Sequence, residues 1–433
     1  MPWCREYGAW IEVCLSKERP LVGSQPRDTG RIKRAAALLL FGVCACDGAD
    51  VPAGGGADLP TTESSPPYAE WALDSAPSIR IGAEGAPEYQ FSRIGYAARL
   101  SDGRLVVYDG ASAELRWFDP EGAFLFRAGG RGEGPGEFLS VASATVTSND
   151  SVVLYDFKNQ RLTWFGPEGS LSRTLRLELH PMAVTLVPFG DSRLVISEER
   201  PAFNIGGQEY NYVRDSVLVV VADDNAEALD TLMHRPGREA ATWVEYTDGQ
   251  PTGTRQFGLP FGHPTLLGAT SDVIVMVEDS RPELAFFNEE GEPVRLARRT
   301  DLDPRPLSTD LRQEYLSHAI RRARERGFPE QPAAEGAEGL LEVIPEEKLV
   351  APFDRMLTDP VSERLWLRDY VFEWNVGEAQ HWTVHDTAGQ VLGRVRTPPG
   401  LEVMQVAPNH VVGVERDEMG VEYVVAYRFR DSN

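Results

Sequence analysis

The stretches Arg104-Leu105-Val106-Val107-Tyr108-Asp109 and Ser151-Val152-Val153-Leu154-Tyr155-Asp156 lie 47 residues apart, and the residues after each keep the same offset without a gap. Leu115 falls on Leu162, Trp117 on Trp164, Phe118 on Phe165, Pro120 on Pro167, Glu121 on Glu168 and Gly122 on Gly169. Each unit reads as a strand, a tight turn (Ser101-Asp102-Gly103 or Ser148-Asn149-Asp150), and a β-rich strand. A polar connection, a strand ending in an aromatic pair, a Pro-Glu-Gly turn and a short last strand complete it.

Four short antiparallel strands in 40–50 residues is the period of a propeller blade. Working outward, the copies decay. Val273-Ile274-Val275-Met276-Val277 with Leu284-Ala285-Phe286-Phe287, and Arg364-Leu365-Trp366-Leu367 with Trp382 to Gly389, are later copies. Ser192 to Ile196 with Val217 to Val221 form a stretched one, and His410 to Val414 with Tyr423 to Tyr427 end without an outer strand. The expected fold is all-β, a six-bladed propeller of four-stranded antiparallel blades over residues 70–433. Ser78-Ile79-Arg80-Ile81, from before the first copy, is expected to complete the last blade, which leaves no long sheet edge open.

The run Gly129-Gly130-Arg131-Gly132-Glu133-Gly134-Pro135-Gly136-Glu137-Phe138, followed by Asp156-Phe157-Lys158-Asn159-Gln160-Arg161-Leu162, resembles the NHL repeat. In that family a Gly-Pro-Gly-Glu-Phe crossover enters a new blade and an Asp-x-x-Asn-x-Arg hairpin bridges its strands. The resemblance implies a six-bladed propeller of the type found in exported bacterial proteins. Blade one departs from it, with Ser112 and Glu114 where Asn and Arg would stand, so its hairpin is expected to be held by other means.

The chain of 433 residues carries 43 basic against 66 acidic residues, a net charge of −23. A surface that acidic repels phosphate, so no nucleic-acid partner is expected. Arg31, Lys33 and Arg34 precede the apolar run Ala35 to Val43, which has the length of a signal h-region rather than of a membrane span. Val43-Cys44-Ala45-Cys46 comes next and resembles a lipobox, with Cys46 the better lipidation site because a small residue precedes it. Residues 1–46 are thus read as an N-terminal extension and lipoprotein signal peptide, and 47–69 as a flexible tether. All four cysteines precede residue 47, and the remainder carries 36 basic and 62 acidic residues, a net charge of −26. The expected product is a monomeric exported lipoprotein facing the periplasm or cell exterior, touching the membrane through its lipid anchor only.

One insertion, about 300–348, interrupts the repeats, with a helix expected from a Ser308 cap through Leu311, Tyr315, Leu316, Ile320 and Ala323 to Gly327. It is read either as a lid or docking helix or as a solvated basic face. The glycines at 129–136 lack the lysine and hydroxyl of a phosphate loop and are assigned to the crossover. Neither Gly-x-Ser-x-Gly nor His-Glu-x-x-His occurs. His180-Pro181 and His263-Pro264 each precede an expected innermost strand, and imidazole at a channel mouth is a candidate metal ligand. Some propeller lyases and lactonases hold a metal there. Residues 198–215 and 236–262 are read as long irregular loops, and their Phe203, Tyr210, Tyr212, Trp243 and Tyr246 are candidate binding residues. The expected function is a non-catalytic binding or scaffold protein of the cell envelope, recognising a protein, peptide or glycan on one propeller face, with no cofactor. The alternative is a metal-dependent lyase or hydrolase, lactonase-like, using zinc or calcium in the channel.

Overall fold

A computed structural model describes residues 59–430, apart from 83–84, 178–183, 191–192, 203–208 and 223–229. It is a six-bladed β-propeller. Blade one comprises Ile94–Arg99, Leu105–Asp109, Glu114–Phe118 and Phe124–Gly129, and blade two, Val141–Val146, Val152–Asp156, Arg161–Phe165 and Leu171–Arg176, is its close copy. Blades three to six begin at Val184–Phe189, Leu266–Ala269, Phe353–Asp359 and Glu402–Val406. The middle strands are apolar on both sides because both faces of every blade are covered: Leu105–Asp109 and Val152–Asp156 are buried at every position. Six hydrophobic clusters lie one at each interface between neighbouring blades.

Ile79–Ile81 closes the ring. It pairs antiparallel with blade six, Ile81 opposite Val424 and Ile79 opposite Ala426, and Ile81 is buried in the cluster between blades six and one. The segment ahead of it is also folded. Thr61–Ser64 adds to blade four and Ala69–Ala72 to blade five, each as a fifth, parallel strand. The tether read over 47–69 therefore ends earlier than expected. The lock between these two strands is polar: Arg299, almost wholly buried, binds both carboxylate oxygens of Asp301 at 2.6 Å and donates to Thr383 Oγ1 at 2.9 Å. Tyr68 donates to Asp301 at 2.9 Å. Cys46 and the tether up to residue 58 lie outside the described residues.

The repeated aspartates tie hairpins to crossovers. Asp156 accepts from the backbone N–H groups of Leu139, Ser140 and Lys158 and from Asn159 Nδ2, while Arg161 donates to the carbonyls of Glu133, Gly134 and Glu137. In blade one, Ser112 donates to Asp109 at 3.1 Å, and Arg116, two residues beyond the position of Arg161, reaches the carbonyl of Gln90 at 2.7 Å. These contacts hold a hairpin that lacks the Asn-x-Arg pair.

Since ring closure runs through Ile79–Ile81, Ile81→Ala is expected to lower stability by about 2–5 kcal/mol. Urea unfolding followed by tryptophan fluorescence and by circular dichroism should give one coincident transition, shifted to lower urea in the variant. Two separate transitions would contradict a single closed ring.

Candidate functional site

In an antiparallel blade the hairpin between strands two and three and the crossover to the next blade share one end, here called the top. Two departures from the repeat rise there. In blade three the third and fourth strands lengthen to Tyr210–Ala222 and Asp230–Thr247, 13 and 18 residues, and Gln250–Gly258 adds a fifth. Much of what sequence reading takes for loops is therefore sheet, despite Pro236, Gly237 and Pro251, and Asp248-Gly249 form the turn of its hairpin. The pairing satisfies backbone groups that a loop would expose. Tyr210 lies opposite Trp243, Tyr212 opposite Ala241, Trp243 opposite Arg255 and Ala241 opposite Phe257, so the two-residue period puts all six on one face. The other face carries a buried polar network in which Asp215 and Gln256 both engage Arg238, at 2.9 and 2.7 Å.

The second departure is the insertion between blades four and five, which forms two helices, α1 (Thr309–Glu325) and α2 (Glu330–Glu342). Ser308 caps α1 by accepting from the Leu311 N–H at 3.3 Å. Sequence reading misses α2 because Pro332, Gly336 and Gly339 argue against a helix. A helical period in Ala333, Ala337, Leu340 and Ile344 was the available signal. Leu311 and Tyr315 of α1 and Leu340 and Leu341 of α2 pack with Ala241, Leu259 and Phe261 below the overhang and with Phe372 and Trp374 from blade five. The Phe372 and Trp374 rings stack at 4.8 Å, and Phe261 meets Tyr315 edge-on at 5.8 Å.

The seam is pinned by Glu239. Its carboxylate accepts from the ammonium of Lys348, from the His263 N–H at 2.7 Å and from Tyr212 Oη at 3.0 Å. Burial raises the Glu239 pKa, but Lys348 and these donors outweigh it and hold the group below its usual range. At the other end Gly339 lies against the Tyr210 ring, where a Cβ would come within 2.5 Å of Cε2.

Between overhang and α2 lies an open groove of about 1410 Å³, walled by Tyr210, Tyr212, Trp243 and Phe257 and by the carboxylates Glu209, Glu335, Glu338 and Glu342. Trp243 Nε1 donates to Glu209 at 2.7 Å, which fixes the indole. A separate cavity of about 490 Å³ is the central channel, lined by the first strands of all six blades. Its polar lining includes Glu199, 3.2 Å from Arg238; burial raises the Glu199 pKa and Arg238 opposes it.

Of the expected binding residues, Tyr210, Tyr212 and Trp243 come together in the groove, Tyr246 stands exposed beyond it near the hairpin tip, and Phe203 lies outside the described residues. The metal reading is not assembled in the same way. His180 lies outside the described residues, and His263 does not line the channel: its ring is buried beside Glu239 at the seam, and neither nitrogen has a hydrogen-bond partner among the described residues. The Pro264 turn brings Pro264 and Thr265, not the imidazole, to the channel wall. Among the described residues no group of three or more His, Cys, Asp or Glu is placed to hold a metal ion, and no described helix is long and apolar enough to cross a membrane.

A family model described as a 6-bladed beta-propeller, DUF5128, matches residues 88–234. No curated protein matches the chain. Among solved structures it is similar to a putative exported protein of Bacteroides fragilis, with 11% identity, 86% of this chain and 99% of that chain covered, and a TM-score of 0.45. It is also similar to a gluconolactonase of Xanthomonas campestris (10% identity, 84% and 99% covered, TM-score 0.39) and to virginiamycin B lyase of Staphylococcus aureus (9%, 77% and 79%, 0.36).

This geometry sets two expected outcomes. Gly336→Ala, whose Cβ clears Tyr210 Oη by 3.6 Å, should stabilise the protein by up to about 1 kcal/mol through helix propensity. Gly339→Ala should lower stability instead, because the overlap with Tyr210 displaces the helix. Thermal melts of the two variants compare them directly. The second outcome concerns pH. Burial first, then Arg214, lowers the His263 pKa to about 4, with Glu239 and Asp279 opposing and Lys348 adding to the effect; burial likewise lowers His385 and His410 to about 4. Such an imidazole binds more protons unfolded than folded between pH 6.5 and 4, so its contribution is complete above pH 6.5 and is lost as pH falls towards 4. His263→Leu should remove about 3 kcal/mol of that fall, read as a flatter plot of urea midpoint against pH.

Proposed function

We propose that this protein is a non-catalytic binding protein of the bacterial cell envelope, receiving a protein, peptide or glycan on its top face. One observation carries the reading: the two segments that break the repeat, the blade-three overhang and the helical insertion, meet over a shared core and enclose one groove. Neither segment is required to close the ring. Loops on a rigid scaffold commonly carry recognition, and fixed aromatics beside an open cleft suit it. The NHL-type hairpin and the lipid anchor on Cys46 belong to the same reading. They are supported by the Asp156, Asn159 and Arg161 contacts and by the lipobox-like residues. Thr61–Ser64 runs parallel to the last strand of blade four, hence from bottom to top. A chain anchored at Cys46 thus joins the ring from below and leaves the groove on the opposite face.

Photo-crosslinking side chains placed at Trp243 and, separately, at Glu121 in a bottom turn test this in cells. Adducts from position 243 alone are expected; adducts from position 121 alone would place recognition on the other face. The buried Glu199 beside Arg238 in the channel favours a second reading, a channel lyase or hydrolase. Metal analysis of chelator-free protein and of the His180→Ala, His263→Ala variant checks its metal-dependent form. Stoichiometric zinc or calcium lost in the variant would replace binding by catalysis.

A further inference from the structure

We infer that the groove takes an extended basic segment of a partner polypeptide, with a lysine or arginine side chain laid between the rings of the overhang and the carboxylates of α2. The inference rests on the top face being the binding face and adds the chemistry of its occupant. Size is the first argument. At about 1410 Å³, the open groove exceeds the roughly 300–1,000 Å³ of small-molecule sites.

Charge is the second. Glu335, Glu338 and Glu342 recur at the spacing of one helix face, all exposed, and Glu209 joins them from the overhang. Among the described residues none of the four is in an ion pair, and Arg255 is the single cationic residue of the lining. A groove with four carboxylates and one guanidinium attracts cations and repels phosphate or acidic peptides.

The third argument is the aromatic wall. Arg255 already lies over the Trp243 ring, its Cζ 5.4 Å from the centroid, so this indole accepts a guanidinium within cation–π range. The bond to Glu209 holds the indole in place before any ligand arrives, which lowers the ordering cost of binding. Glycans also stack on aromatic rings, but they leave the groove carboxylates without a counter-charge.

The test uses the purified protein and fluorescein-labelled peptides of twelve residues, one rich in arginine and lysine and one with those positions replaced by glutamine, titrated by anisotropy. Saturable binding of the basic peptide, weakening as salt rises, is expected. Glu338→Gln with Glu342→Gln, and separately Trp243→Ala, should each weaken it by about tenfold. Glu121→Gln with Glu290→Gln removes the same charge from bottom turns and should leave binding unchanged. Equal loss in this control would show that overall charge alone attracts the peptide and would overturn the inference. No binding of the basic peptide, or equal binding of its glutamine analogue, would do the same. If the crosslinker at position 243 still captures a partner in that case, the binding face stands and only its basic occupant is refuted. If both are silent, both readings fall.

Discussion

A blade of this protein is apolar on both faces, and no blade can bury both by itself. Leu105–Asp109 and Val152–Asp156 have no exposed position, which is tenable only if a neighbour covers each side. Six such sheets satisfy one another by closing into a ring, with one cluster at each interface. The last blade must then be completed from the N-terminal side of the first, and Ile79–Ile81 pairing with Val424–Ala426 accomplishes that. The same requirement explains why the preceding residues are drawn in. Thr61–Ser64 and Ala69–Ala72 cover the outer edges of blades four and five, edges that would otherwise present unpaired backbone groups.

A ring held by its interfaces leaves the top connections free to grow. Blades one and two show what the repeat needs there: a short hairpin, an aspartate, and an arginine reaching back to the incoming crossover. Blade one meets that need with Ser112 and Arg116 in place of the Asn-x-Arg pair. The arginine shifts by two residues and so stays on the same face of its strand. What is preserved is the link between hairpin and crossover, not the residues that make it.

Much of this was legible in the sequence because repetition reports structure twice. The 47-residue register gave the strands and turns of blades one and two, and Ser78 to Ile81 was recognisable as the missing outer strand. The site was legible only in part. Aromatics in non-repeating segments pointed to Tyr210, Tyr212 and Trp243, although their segments are strands. Proline and glycine marked them as irregular, yet Pro236 pairs with Ser216, and Gly237 sits in the register shift that follows, before Glu239 pairs with Arg214. Partners fixed by tertiary contact left no local pattern. Glu239 and Lys348 are 109 residues apart, and the glycines of α2 read as helix breakers until the Tyr210 ring beside Gly339 is known. His263 was singled out by its Pro-flanked position, which sets the backbone turn and says nothing about where the ring goes.

The buried pair between Glu239 and Lys348 bears on what the groove can be. Both side chains are nearly inaccessible, 10% and 6% exposed, and transferring two charges from water consumes most of what their attraction returns. Their stabilising effect is therefore modest, but mispairing is heavily penalised, since either charge alone in that site lacks compensation. Lys348 ends the helical insertion and Glu239 stands at the root of the overhang, so satisfying the pair fixes where the insertion docks. Gly339 against Tyr210 fixes the approach of α2 at the other end. Between these two fixed points the groove has a set width before any partner arrives. Glu335, Glu338 and Glu342, exposed on α2, are in no ion pair among the described residues, whereas Glu330 at the start of the helix binds Arg324 at 2.7 Å. Charge is thus neutralised inside the seam and left without a protein counter-charge along the groove, which divides the buried structural carboxylates of the top face from the exposed ones.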